Sequence, residues 1–134
     1  MGCIYTAINP RVSKNGVFKI GYTKEKYPTK RMSANELDCI YYLSCPKATE
    51  NELLMLESVA RCSCVVLGMT QNAMDWFGYS VDRRYKSNKH QAQAFAERVM
   101  ADVIAECGRR NIEYTLKACF YKGKNYSCCA AKII

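Results

Sequence analysis

Cys3-Ile4-Tyr5-Thr6-Ala7-Ile8, followed by Ser13-Lys14-Asn15-Gly16 and then Val17-Phe18-Lys19-Ile20-Gly21, is the stretch from which the fold is read. Ile and Tyr dominate the first six residues, the composition of a largely buried strand. Asn9-Pro10 ends that strand, since proline has no amide hydrogen for a ladder. Asn15-Gly16 is the strongest short signal for a hairpin turn, because both residues tolerate positive φ. Val17 to Gly21 then returns as a second strand, so the chain opens with an antiparallel hairpin.

Outward from the hairpin, Pro28 stands where a helix can start, and Thr29 to Leu37 forms a short helix carrying Arg31, Met32 and Asn35. Cys39-Ile40-Tyr41-Tyr42-Leu43-Ser44-Cys45 is a third strand, closed by Pro46. Thr49-Glu50-Asn51-Glu52 has the spacing of a capping box, in which the threonine oxygen and the glutamate each satisfy a free backbone donor. The helix it opens runs to about Cys64. At 100° per residue, Leu53, Leu54, Leu56, Val59 and Ala60 form an apolar arc, and Glu57 falls inside it. Burying a carboxylate alone is costly, so Glu57 either snorkels out at the helix margin or finds a cation.

Gly68 to Gly78 reads as irregular around Asp75-Trp76-Phe77. Ala92, Phe95, Ala96, Val99, Met100, Val103, Ile104 and Cys107 then recur at helical spacing, with Ser87 or Asn88 as N-cap and Gly108 as the stop. Ile112 to Tyr121 and Tyr126 to Ile133, joined by Lys122-Gly123-Lys124-Asn125, read as a closing hairpin. No repeat and no linker interrupts the chain.

The 134 residues suit one domain with one core. The net charge of +8 is uneven. Residues 1–37 carry seven Lys/Arg against two acids, residues 38–75 two against five, and residues 76–134 eleven against five. Basic flanks of this kind attract a polyanion by counterion release, and an acidic middle can supply a carboxylate for a metal. A soluble basic protein with no such partner has the same charge pattern.

Nine cysteines include a CxC at Cys62 and Cys64 and an adjacent pair at Cys128 and Cys129, but no CxxC. Neither a zinc site nor a disulfide framework fits an odd set so spaced, so reduced thiols and an intracellular setting, cytoplasm or nucleus, are expected. No apolar run approaches the roughly 20 residues of a membrane helix. Met1 to Thr6 does match the myristoylation pattern M-G-x-x-x-[ST], yet lipid at Gly2 competes with packing this segment as a strand.

Gly2-Cys3-Ile4-Tyr5, Lys19-Ile20-Gly21-Tyr22-Thr23, Arg31, and Glu57 within Glu52-Leu53-Leu54-Met55-Leu56-Glu57 follow one another in an order that resembles the motif set of the GIY-YIG nucleases. The likeness spans about residues 2–77 and is nearest to the phage and large-DNA-virus branch, where the second motif is K-I-G; Asp75-Trp76-Phe77 resembles that branch's E-W-F element. It implies an α+β fold with a small three-stranded antiparallel sheet flanked by helices. That core would span residues 1–80, with residues 81–134 adding a basic helix and a hairpin packed on it within a single domain.

The same resemblance implies a metal-dependent endonuclease acting on DNA, with Mg2+ or Mn2+ as cofactor, inside a cell, a virus-infected host among the settings; no membrane and no obligatory protein partner are inferred. Tyr5 would act on the attacking water, Arg31 would support the phosphate and Glu57 would hold the metal. Lys19 stands where the family has its second tyrosine and becomes a phosphate contact, with Tyr22 as the nearest replacement phenol. Asn35 stands where the family often has a histidine or tyrosine, and the sole histidine, His90, lies outside the motifs.

The chemistry fits these residue types. Phosphodiester hydrolysis needs an activated water, neutralisation of the pentavalent phosphate and relief of charge on the leaving oxygen. Arginine offers phosphate two parallel donors. Magnesium prefers oxygen ligands and keeps several waters, so one carboxylate can anchor it. Tyrosine, with an ordinary pKa near 10, is a poor base without a neighbouring cation, which ties Tyr5 to Lys19, Arg31 or the metal. Lys24, Lys30, Arg83, Arg84, Lys86 and Lys89 are the candidate contacts to the DNA backbone. A nucleic-acid-binding relative that cuts weakly, having lost the second tyrosine, is the competing expectation.

Overall fold

A computed structural model of the chain describes residues 1–8, 18–28, 39–66, 70–73, 76–78, 89–122 and 125–131. Seven strands and two helices lie among them: β1 (Gly2–Ile8), β2 (Phe18–Thr23), β3 (Cys39–Cys45), α1 (Glu50–Val66), β4 (Thr70–Ala73), β5 (Trp76–Gly78), α2 (Lys89–Arg110), β6 (Thr115–Lys122) and β7 (Asn125–Ala130). The fold is α+β. All strands join one antiparallel sheet in the order β4-β5-β2-β1-β3-β6-β7.

The expected three-stranded sheet is therefore too small. Its three strands are the centre of the sheet, and each edge is extended. On one side β6 pairs with β3, bringing the closing hairpin into the sheet instead of packing it upon a finished core. On the other side β5 pairs with the start of β2, Phe77 opposite Phe18 and Trp76 opposite Lys19. The segment expected to be irregular thus contains two short strands, with a register shift between Gln71 and Ala73. Strands of four and three residues, one of them polar throughout except for its alanine, are too short for periodicity to register.

Strand alternation sorts the side chains of the sheet. Ile4, Ile20, Tyr41, Leu43, Leu116 and Ala118 face the helices, where they meet Leu53, Leu56, Ala60 and Cys64 of α1 and Ala96, Val99, Met100, Val103 and Cys107 of α2 in one buried cluster. Residues from both halves of the chain enter this core. The opposite face carries a smaller cluster of Cys3, Tyr5, Ala7, Tyr42 and Cys119. Tyr41 crosses the main core to donate its hydroxyl to Glu97 Oε1 of α2 at 2.9 Å, which gives a buried phenol a polar outlet.

The helix ends follow from local chemistry. At the start of α1, the Thr49 amide donates to Glu52 Oε1 at 2.9 Å and the Glu52 amide to Thr49 Oγ1 at 3.2 Å, closing the capping box reciprocally. Glu50 and Glu52 also place negative charge in the first turn, where the helix dipole favours it. The stop of α2 is not Gly108, which lies within the helix. Asn111 takes a left-handed φ of 56° just beyond Arg110. The amide of Ile112 then reaches Cys107 O at 2.9 Å and that of Asn111 reaches Gly108 O at 3.5 Å, the paired bonds of a Schellman end, with Ile112 buried behind them. Ser87 and Asn88, expected to cap this helix, and the helix expected over Thr29 to Leu37 lie outside the described residues.

Gly2 is buried in β1 opposite Cys45, and a Cβ there would collide with Leu53 Cδ1 and Thr23 O. Among the described residues no helix is long and apolar enough to cross a membrane.

Leu56 is completely buried where α1 meets the sheet. Leu56→Ala is expected to cost about 2–5 kcal/mol, read as a lower urea midpoint at unchanged slope. Cys3, Cys45, Cys64 and Cys107 are free and buried, Cys119 is buried, and Cys62 and Cys129 are free and exposed. Burial pushes the Cys3 and Cys64 thiols up to about 12, outweighing the nearby cations Lys117 and Arg61. At pH 8 a thiol reagent should thus label Cys62 and Cys129 promptly, and Cys3 and Cys64 only as the protein unfolds.

Candidate active site

The site is built around the pairing of β1 with β2. Tyr5 lies opposite Gly21, and Ala7 opposite Lys19, so Tyr5, Lys19 and Gly21 share the sheet face turned away from the helices. The Tyr5 ring leans across Gly21: a Cβ added to Gly21 would come within 2.5 Å of both Tyr5 Cζ and the phenol oxygen. Only a residue without a side chain leaves room for that crossing. The ring is 2% exposed, and Cys3, Ala7, Tyr42 and Cys119 pack on the same face.

Among the described residues, β5 pairs with β2 at Phe18 and Lys19. Among the described residues, the outer edge of β2 from Ile20 to Thr23 has no strand beside it. A cleft of about 290 Å³ wraps this edge. Tyr5, Lys19 and Gly21 line it from one face, Tyr22 and Glu57 from the helix side, and Thr23 and Lys24 at the end of the strand. Motif elements from the first two strands and from α1 therefore converge on one concavity.

Lys19 and Tyr22 lie on opposite faces of β2, three residues apart in a period of two. Tyr22 consequently does not occupy the place that a phenol at position 19 would take. Its hydroxyl donates to Glu50 Oε1 at 3.4 Å, and Lys24 Nζ stands 3.5 Å from Glu50 Oε2, so the first residue of α1 is tied to the end of β2 at the cleft. The Lys24–Glu50 pair is exposed and contributes little to stability.

Glu57 sits at the margin of the α1 apolar arc, with Leu53 and Ala60 of the same arc fully buried. Its side chain is 16% exposed, and Arg61, one turn later, supplies the counter-charge. Arg61 Nη2 and Nε donate to the same oxygen, Oε1, at 3.1 and 3.3 Å. Both expectations for Glu57 thus hold at once: it reaches an edge and it is paired. Among the described residues, no group of three or more His, Cys, Asp or Glu side chains is placed to hold a metal ion.

No family model, curated protein or solved structure matches the chain.

Of the residues singled out in the sequence, Tyr5, Lys19, Tyr22, Lys24 and Glu57 line the cleft together. Arg31, Lys30, Asn35, Asp75, Arg83, Arg84 and Lys86 lie outside the described residues. Lys89 and His90 open α2, with their side chains outside them as well. Sequence reasoning did not single out Arg61, Glu50 or the steric role of Gly21. The i,i+4 spacing of Glu57 and Arg61 is a visible signal, but such pairs are common on helices.

Gly21→Ala should be destabilising by about 1–3 kcal/mol through overpacking against the Tyr5 ring. In a double-mutant cycle followed by urea unfolding, that cost should shrink markedly in a Tyr5→Ala background. An equal cost in both backgrounds would show that Gly21 is needed for some other reason.

Proposed function

We propose that this chain is a metal-dependent DNA endonuclease of the GIY-YIG type. In this reading β2-β1-β3 and α1 form the catalytic core, and the added edge strands and α2 elaborate it. The observation that carries the proposal is that Tyr5, Lys19 and Glu57, selected by motif order and drawn from three separate elements, line one cleft.

The residues fit a hard divalent cation of the Mg2+ or Mn2+ kind. Glu57 offers an oxygen donor at the cleft, and Arg61 engages only its Oε1 in the contacts that join the two side chains. A single carboxylate suffices for a cation that retains most of its waters. When bound, such a cation lowers the cost of making hydroxide from water and neutralises charge on the phosphate.

The chain's own groups account for the remaining work. Tyr5, held against Gly21 and acting in its deprotonated form, accepts the proton of the attacking water as the water oxygen bonds to phosphorus; the bond from phosphorus to the leaving sugar oxygen breaks, and that oxygen takes its proton from solvent. Lys19, on the same face, and Lys24, at the strand end, bring positive charge to the phosphate oxygens. Arg31 would add the two-pronged donor that lysine lacks. The basic segments on either side of the core, including Lys30, Arg83, Arg84, Lys86 and Lys89, would hold the DNA backbone without reading its sequence.

A second reading is a DNA-binding relative that cuts poorly. It is favoured by a specific observation: Lys19 replaces a phenol, and Tyr22 lies on the other face of β2. A lysine can neutralise phosphate but cannot perform the proton transfer of a second tyrosine.

Plasmid and single-stranded DNA incubated with Mg2+ or Mn2+ separate the two. Wild type should cut, whereas Glu57→Ala and Arg31→Ala should lower the rate by roughly 100-fold or more. Glu57→Ala should leave DNA affinity in fluorescence anisotropy within about two-fold of wild type, because the basic flanks that hold the backbone are untouched. Binding without cutting by wild type in either metal supports the second reading, and equal cutting by all three proteins refutes the assigned site.

A further inference from the structure

Glu57 and Arg61 are the pair in which the helix, the core and the cleft meet. Both lie on α1 one turn apart, yet only Glu57 lines the cleft, so Arg61 stands behind it. Their side chains are 16% and 32% exposed, well below the 49% and 65% of the Glu50–Lys24 pair at the same cleft. Two guanidinium nitrogens converge on Oε1, at 3.1 and 3.3 Å.

That arrangement restricts the carboxylate. A glutamate has three side-chain torsions, and two N–H groups converging on one oxygen hold that oxygen in place more firmly than a single contact does. With Oε1 so held, Oε2 is the atom left to turn into the cleft. Lys19 and Lys24 line the same cleft as this negative charge, with Lys24 Nζ 3.5 Å from Glu50 Oε2. Without a partner behind it, Glu57 can swing onto either lysine and be lost as a ligand.

We infer that Arg61 is a positioning residue, which clamps Oε1 of Glu57 so that Oε2 is presented to a divalent cation. This rests on the nuclease reading, in which Glu57 is the metal's protein ligand. Arg61 need touch neither substrate nor metal. It acts as outer-shell partners of metal ligands generally do, where loss of the partner typically weakens affinity by about 10- to 100-fold.

The chemistry separates this role from that of an ordinary helix pair. For a helix pair, any residue of similar helix preference would serve, and removal would alter stability slightly without touching cation affinity. For a clamp, geometry matters: lysine retains the charge but lacks the planar fork, so it should restore only part of the function.

The experiment is titration of the intact chain with Mn2+, followed by the electron paramagnetic resonance signal of free Mn2+, for wild type, Arg61→Met, Arg61→Lys and Glu57→Gln. Circular dichroism melts identify the folded variants, and Mn2+ binding is compared among those. Wild type is expected to bind one Mn2+ at this site. Glu57→Gln should abolish that binding, Arg61→Met should weaken it about 10- to 100-fold, and Arg61→Lys should fall between Arg61→Met and wild type. The Mn2+ concentration giving half-maximal DNA cutting should shift in parallel.

Equal Mn2+ affinity in wild type and Arg61→Met overturns the clamp and leaves the metal-dependent reading standing. So does full restoration by Arg61→Lys, which would reduce the requirement to charge alone. Failure of wild type itself to bind Mn2+, or undiminished binding by Glu57→Gln, overturns the clamp together with the metal role of Glu57. If Arg61→Met does not fold, the decision passes to Arg61→Lys, which must then bind more weakly than wild type.

Discussion

The site depends on the contact between the Tyr5 ring and the bare backbone of Gly21. β1 is the middle strand of the sheet, and its odd residues face away from the helices. A tyrosine on that face would ordinarily be separated from α1 by the sheet itself. By leaning across Gly21, the ring comes to the edge of β2, where the groups on the helix side also emerge. A side chain of any size at position 21 occupies the path of the phenol. The glycine therefore acts sterically, and its value lies in the atom that is missing.

The other wall of the cleft is placed by the core. Leu53, Leu56 and Ala60 bury one side of α1, which sets the helix rotation and brings Glu57 to the margin beside β2. The capping box fixes where the helix begins, and Glu50, its first residue, meets Tyr22 and Lys24. Packing energy and site geometry are thus coupled: the burial that stabilises α1 also holds a carboxylate where it is only partly solvated. Arg61 offsets the cost of that partial burial.

Much of this was legible in the sequence where local chemistry was strong. The β1 and β2 strands, the third strand before Pro46 and the box at Thr49 to Glu52 each carry signals that depend on neighbours a few residues away. Glu57 stood out because a charge inside an apolar arc has few acceptable surroundings. The sheet extensions were harder: pairing of β6 with β3 is a long-range choice, and β4 and β5 are too short to show alternation. The end of α2 differs from the expected stop at Gly108 for a local reason, since glycine and asparagine both accept a left-handed φ, and Asn111 takes it three residues beyond Gly108. Lys19 and Tyr22 posed a different problem. Their opposite faces are implied by a period of two, but that they share a cleft follows from how the cleft wraps the end of β2, which no local pattern encodes.

The central claim is that the β2 edge is where metal and phosphate meet, and diffraction from crystals grown with Mn2+ and a short DNA duplex tests it most directly. The account predicts an anomalous peak at the Glu57 carboxylate on its cleft side, with a backbone phosphate between that peak and Lys19 and with the Tyr5 oxygen facing the phosphorus. A manganese peak and bound DNA elsewhere on the molecule, with Glu57 engaged only by Arg61 and the cleft filled with solvent, would contradict it.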